Sequence, residues 1–176
     1  VTSGPGSVQP SSLDEIRGLK SKPEKRLCLV VLGMHRSGTS AFTRVLNLAG
    51  AKLPEHLNAA GGGNDIGYWE SDPLINYHNA LLAELGSDWS DWRRLDFSQV
   101  PMRRRAEMKA EIADIVAAEF GSAPLIVIKE PRICRFARLF IDALDDAGYD
   151  VRCVLPTRSP LEVVQSLEKR DGMSRG

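Results

Sequence analysis

A turn rich in small residues joins an apolar run to a helix-forming segment near the start of the chain, in the stretch 27–40, LCLVVLGMHRSGTS. The apolar run, residues 28–32, predicts a buried strand of a parallel sheet, and the segment that begins at Thr39 predicts a helix. Gly33 and Gly38 allow a tight turn between them, so that successive N–H groups and the helix N-terminus can face one anion. The stretch therefore predicts a phosphate-binding loop.

The two glycines have the spacing of the P-loop pattern G-x-x-x-x-G-K-[ST], and Ser40 occupies its last position. Thr39 stands where the pattern has lysine, so the usual cation of ATP-binding loops is absent. Arg36, inside the loop, can replace it, because a guanidinium can bind two oxygens of a phosphate or sulfate at once.

Further along the chain, apolar strands alternate with helical patterns. Residues 125–128 and 151–155 predict two more buried strands, and helices separate them. This order predicts an α/β fold, a P-loop-like parallel sheet flanked by helices and joined by right-handed crossovers. We expect residues 26–176 to form one domain and residues 1–25, rich in Gly, Ser, Pro and charge, to form a flexible N-terminal tail.

The helix after the loop carries one apolar face, which we expect to pack on the sheet. This face consists of Phe42, Val45, Leu46 and Ala49.

The charges of the chain balance, with 23 Lys and Arg residues against 23 Asp and Glu residues. No net field therefore attracts nucleic acid or an anionic membrane, and the run Arg103–Arg105 is predicted to be a solvated helix face. No apolar run reaches membrane-spanning length, and three cysteines, an odd number, are more typical of reduced thiols than of a disulfide framework. We expect a soluble, cytoplasmic protein with no nucleic-acid or membrane partner.

A cation follows each predicted strand. Arg36 lies after the first strand, Lys129 ends the second and Arg158 follows the third. In open parallel sheets, ligands bind at the carboxyl ends of the strands. We therefore expect the three cations to converge on one crevice, and a polyanionic ligand would explain their convergence.

Three motifs resemble those of sulfotransferases that use PAPS (3'-phosphoadenosine 5'-phosphosulfate), particularly the bacterial-type and tyrosylprotein branches. The loop G-M-H-R-S-G-T-S closely resembles their 5'-phosphosulfate loop. T-R-S-P-L-E-V-V-Q-S, with Arg158 and Ser166 eight residues apart, resembles their 3'-phosphate motif. K-E-P-R, residues 129–132, is similar to their K-D-P motif, with Glu130 in place of aspartate. The resemblance covers roughly residues 26–176.

The resemblance implies in-line transfer of the sulfuryl group from PAPS to an acceptor hydroxyl or amine, without a metal, leaving PAP (3'-phosphoadenosine 5'-phosphate). It implies a small-molecule, carbohydrate or other hydroxyl-bearing acceptor. It also implies that Lys129 stabilises the leaving phosphate oxygen and that Arg36 stabilises the transferred group. Family members continue beyond the 3'-phosphate helix, so it also implies a sulfotransferase core truncated at the C-terminus. The implied nucleotide-binding residues are His35, Arg36, Ser37, Gly38, Thr39, Ser40, Arg158 and Ser166.

In the resembled family a glutamate or a histidine takes the proton of the acceptor. Glu70 ranks first here, because the aromatic residues of G-Y-W-E could raise its pKa towards working pH. Glu55 remains an alternative, since its spacing from Arg36 is closer to that of the tyrosylprotein enzymes. His78 lies on an apolar helix stripe, where a core histidine is the commoner outcome.

Two other functions stay open from the sequence. A P-loop kinase or NTPase is disfavoured by Thr39 and by the absence of an aspartate at the end of either later strand. A nucleotide-binding module without catalysis is the second alternative.

Overall fold

Three parallel strands form the centre of the fold. The structure is a computed structural model and describes residues 25–61, 67–91 and 93–171. The strands lie in the order β2-β1-β3, and the first strand of the chain is central, with Leu29 paired to Val127 on one side and to Arg152 on the other. The strands are β1 (Arg26–Val31), β2 (Leu125–Lys129) and β3 (Tyr149–Val154).

Five helices in the described part of the chain flank this sheet. The predicted α/β fold with a parallel sheet between helices is therefore confirmed. The predicted tail lies outside the described residues except for Lys25, whose Nζ is 2.8 Å from Asp145 Oδ1. The helices are α1 (Thr39–Leu48), α2 (Asp72–Glu84), α3 (Met102–Phe120), α4 (Ile133–Asp146) and α5 (Pro160–Asp171).

The main core lies between one face of the sheet and helices α2, α3 and α4. Alternate residues of the strands point to this face, as period-2 geometry requires. Cys28 and Val30 of β1 are fully buried there. Each aliphatic or aromatic side chain buried in this way contributes roughly 1.5–3 kcal/mol. The helical members of the core include Leu74, Ile112, Val116, Phe120, Phe140 and Leu144.

The opposite face of the sheet carries helix α1, and the predicted orientation of this helix is wrong. Phe42 and Val45 are 37% and 58% exposed, whereas Thr43 is fully buried. Leu46 alone of the predicted face packs against the sheet, beside Val31 and Val127. Threonine can face inward because its hydroxyl is satisfied within the helix: Thr43 Oγ1 donates to the Thr39 carbonyl at 2.8 Å.

The arginine run at the start of α3 is also more than a solvated face. Arg104 donates to Glu84 of α2 at 2.9 Å and to Glu111 of its own helix at 3.0 Å, so it ties the two helices together. Arg103 does match the expectation, with its side chain 91% exposed. Within the described residues, no helix is both long and apolar enough to cross a membrane.

Candidate functional site

The loop between β1 and α1 contains a strained residue. Arg36 has φ 66° and Gly38 has φ 92°, and the left-handed region is uncommon for a residue other than glycine. Contacts from α5 and the preceding loop hold this conformation. Arg158 Nη1 donates to the Arg36 carbonyl at 3.1 Å, and Arg36 Nε donates to Ser166 Oγ at 2.8 Å.

Gly33 is needed where the loop leaves the strand. A Cβ at this position would lie 2.8 Å from the Thr39 Cγ2 atom and 3.0 Å from Ser37 Oγ, closer than side chains tolerate. On the other side, the Gly33 N–H donates to Cys134 Sγ at 3.2 Å. The Ser37 hydroxyl turns back into the loop and donates to the Met34 carbonyl at 2.7 Å.

An open cleft of about 220 Å³ lies at the carboxyl edge of the sheet. Arg36, Lys129 and Arg158 all line it, so the convergence expected from the strand ends is observed. Ser166 reaches this site through its hydrogen bond with Arg36. The remaining lining residues are His35, Gly38, Thr39, Ser40, Ala41, Tyr68 and Glu70.

Lys129 connects the loop to the second strand. Its side chain is only 4% exposed, and its ammonium donates to Ser40 Oγ at 3.1 Å and to the Tyr68 carbonyl at 3.3 Å. Its third contact is an ion pair with Glu70 Oε1. A buried ammonium from β2 therefore lies beside the loop, which has Thr39 in place of the P-loop lysine.

Glu70 is a desolvated carboxylate in this cleft, 6% exposed. Burial raises the pKa of its carboxyl above the ordinary value, although the nearby Lys129 ammonium opposes the shift. The preceding residue, Trp69, has φ 59°. Among the described residues, Arg36 and Trp69 are the two non-glycine positions with positive φ. Both adjoin the cleft, and such strain tends to cluster at functional sites.

The other two candidate bases lie elsewhere. Glu55 is exposed, and its backbone N–H donates to the Glu119 carbonyl at 3.1 Å. His78 is fully buried and stacks on Phe136 with ring centroids 5.4 Å apart, as expected for a core histidine. Of the three candidates, the structure brings Glu70 alone to the cleft.

A buried charged network beside Lys129 escaped the sequence reasoning. Glu130 is fully buried, its Oε2 lies 2.6 Å from His78 Nδ1, and its Oε1 accepts from Arg132 Nη1 at 2.6 Å. Burial alone would raise the pKa of Glu130, but the contacts with His78 and Arg132 outweigh it and hold the pKa below the ordinary value. A histidine on an apolar stripe indicates that a buried polar partner exists, but the sequence does not identify that partner.

Within the described residues, no group of three or more His, Cys, Asp and Glu side chains is arranged to hold a metal ion. Comparison of the chain with protein-family models, curated proteins and solved structures finds no significant match.

Proposed function

We propose that this chain is the nucleotide-binding core of a PAPS-dependent sulfotransferase, which moves a sulfuryl group from PAPS to an acceptor hydroxyl or amine. The observation that carries the proposal is the buried Lys129–Glu70 pair beside the loop that holds Arg36. A cation for a leaving oxygen and a desolvated carboxylate for a proton lie together at a strained turn of anion-binding type.

The proposed reaction needs no covalent enzyme intermediate. The acceptor oxygen or nitrogen attacks sulfur, and the bond from sulfur to the 5'-phosphate oxygen breaks. The electron pair of that bond stays with PAP, and the proton of the acceptor passes to Glu70. Lys129 stabilises the charge on the leaving oxygen, while Arg36 and the loop N–H groups bind the 5'-phosphate and the transferred group.

Donor binding requires Lys129 to exchange partners. An ammonium has three hydrogens, and Ser40, Tyr68 and Glu70 already accept from Lys129. A phosphosulfate oxygen must therefore displace one of these acceptors. Displacement of Glu70 would free its carboxylate for the acceptor proton, so donor binding and activation of the base are coupled in this proposal.

The proposal is tested by titrating the chain with PAP, AMP, ADP and ATP in separate calorimetric runs. We expect PAP to bind most tightly, and Arg36→Ala to abolish detectable PAP binding because the loop loses its bidentate cation. Arg103→Ala is the matched control, since Arg103 lies on the exposed face of α3, and it should bind PAP as the parent does.

Two results would favour the alternatives. Mg²⁺-dependent hydrolysis of ATP would favour a P-loop kinase or NTPase. Selective PAP binding without transfer of ³⁵S-labelled sulfate from PAPS to any of a panel of alcohols, phenols and sugars would favour a non-catalytic nucleotide-binding module.

A further inference from the structure

A second concavity lies between helices α3 and α4 and residues 93–97. It encloses about 560 Å³, more than twice the volume of the cleft, and it shares no lining residue with it. Volumes of this size are typical of small-molecule sites. We call this concavity the α3–α4 groove. The function proposed above does not use it.

The floor of the α3–α4 groove is apolar. Leu95, Phe97 and Leu139 line it and are only partly buried, and they pack on a buried cluster that contains Phe136. Partly exposed apolar side chains in a concave surface favour a ligand that covers them, since each square ångström removed from water contributes about 25 cal/mol.

The rim of the same groove is cationic. Six cations line it against a single carboxylate, Asp142, in a chain of zero net charge. Three of the six pair with carboxylates: Arg93 with Asp91, Lys109 with Asp146 and Arg138 with Asp142. The six are Arg93, Arg94, Arg105, Lys109, Arg135 and Arg138.

Two of the rim cations bind backbone carbonyls, which do not neutralise their charge. Arg105 Nε donates to the Val100 carbonyl at 3.0 Å, and Arg135 Nη2 donates to the Arg93 carbonyl at 2.8 Å. The guanidinium groups are therefore fixed in place while their positive field persists inside the groove.

We propose that the α3–α4 groove binds an organic anion that carries an apolar alkyl or aromatic body, with the body on the floor and the anionic group at the rim. An inorganic anion would leave the floor uncovered. A long polyanion such as nucleic acid needs a basic surface that continues beyond the groove. Next to the groove, Arg103 and Arg104 are paired with glutamates, so the positive surface does not continue along α3.

The test is calorimetry of the full chain with four probes: octanoate, 2-naphthoate, 1-octanol and inorganic sulfate. We expect saturable 1:1 binding of at least one of the two carboxylates, and the comparison between them distinguishes an alkyl from an aromatic body. Octanol lacks the charge and sulfate lacks the body, so each should bind at least about tenfold more weakly. Octanol binding as tightly as octanoate, or no binding by either carboxylate, would overturn the proposal.

Matched double variants locate the site. Arg138→Gln with Lys109→Gln removes two rim charges and should weaken carboxylate binding about tenfold. Arg103→Gln with Arg152→Gln removes two charges outside the groove and should leave binding unchanged. All four side chains are ion-paired near the surface, and a thermal unfolding scan checks that both variants keep the fold. Equal loss in the two variants would mean a general charge effect and would overturn the assignment.

Competition with PAP distinguishes the groove from the cleft. Cys134 lines the groove and also contacts the backbone of Gly33 at the start of the loop, so the two sites are neighbours. PAP at saturating concentration should leave the bound carboxylate in place. Stoichiometric displacement by PAP would show that the carboxylate binds in the cleft. This result would refute the groove site and leave the proposed function intact.

Discussion

Burial and the Lys129 ammonium have opposite effects on the pKa of Glu70. The ammonium lowers this pKa and burial raises it, and the effect of burial is the larger one. Removing one member of the Lys129–Glu70 pair also leaves the other without its partner in a buried place. Conservative changes are therefore the informative ones at this position.

Glu70→Gln should reduce turnover roughly 10²-fold or more and leave PAP affinity nearly unchanged, because the amide keeps an oxygen for Lys129 but accepts no proton. Single-turnover sulfate transfer and calorimetry with PAP measure the two quantities. Glu55→Gln is the control and should act as the parent, since Glu55 is exposed and outside the cleft lining. If Glu55→Gln loses turnover and Glu70→Gln does not, the assignment of the base is wrong.

The rate of transfer should depend on pH through the same carboxyl. The ordinary glutamate pKa is 4.5, and burial raises that of Glu70 above this value. In the proposed mechanism the carboxylate is the active form, so the single-turnover rate should rise as the pH increases through the raised pKa. The pH at which the rate is half-maximal should lie above 4.5 in the parent, and Glu70→Gln should abolish this rise of the rate with pH. A rise that persists unchanged in Glu70→Gln would mean that another group controls it.

Arg158→Ala should remove at least a tenfold preference for PAP over AMP, since a hydrogen bond to a charged group contributes roughly 1.5–3 kcal/mol. Ser166→Ala should remove less, because a hydroxyl carries no charge. Calorimetry with both nucleotides on each variant gives the ratios, and Arg152→Ala, an exposed arginine of β3, is the control. Equal PAP and AMP affinities in the parent protein would contradict the PAPS assignment itself.

At the scale of elements, one carboxylate orders the entrance to α2. Glu119, in the last turn of α3, is 2% exposed and accepts from the Ser71 hydroxyl at 2.8 Å. It also binds His56 Nδ1 at 2.7 Å and the His56 N–H at 3.3 Å. Ser71 caps α2 and directly follows Glu70, so this cluster fixes the backbone that presents the proposed base.

The His56–Glu119 contact should make stability depend on pH. The hydrogen bond to Glu119 raises the pKa of His56 above 6.5. A raised histidine pKa contributes stability that is fully present below the unfolded value and is lost as the pH rises through the folded value. Thermal unfolding of the parent and of His56→Asn should therefore differ at pH 5.5 and converge above the raised pKa. A difference that grows with pH would contradict the assignment.

The elements were largely predictable because their signals are local. The apolar runs that became β1, β2 and β3 and the glycine turn at the loop all follow from neighbouring residues. The rotation of α1 about its axis was not predictable from the sequence: Thr39 and Thr43 face the sheet, while Phe42 and Val45 face solvent. The loop determines how the helix leaves the strand, and the spacing of apolar residues does not report that geometry.

The site was predictable in its cations and less so in its contacts. Strand-end logic found Arg36, Lys129 and Arg158, because parallel topology brings strand ends together. The partners of Lys129 include a main-chain carbonyl, at Tyr68, and no side-chain pattern encodes it. The Glu130–His78 contact joins residues 52 positions apart, a distance at which a single sequence gives no pairing signal.

For the molecule as a whole, the Glu130 network makes global stability sensitive to acid. A lowered carboxyl pKa contributes stability that is present above the unfolded value and is lost as the pH falls through the folded value. Glu130→Ala should cost about 3–5 kcal/mol at neutral pH, as expected when one partner of a buried charged contact is removed. Urea unfolding measures this cost. His78→Leu combined with Glu130→Leu should recover part of it, and a double variant less stable than Glu130→Ala would contradict this account.

The register of the sheet also determines when the protein can fold. Leu27 of the central strand pairs with Leu125 and with Asp150, which are 98 and 123 residues further along the chain. At a synthesis rate of about 5–20 residues per second, β1 waits roughly 5–20 s for its first partner to be made. During that interval the apolar run of β1 has no strand partner, so its unpaired backbone and side chains are exposed to aggregation.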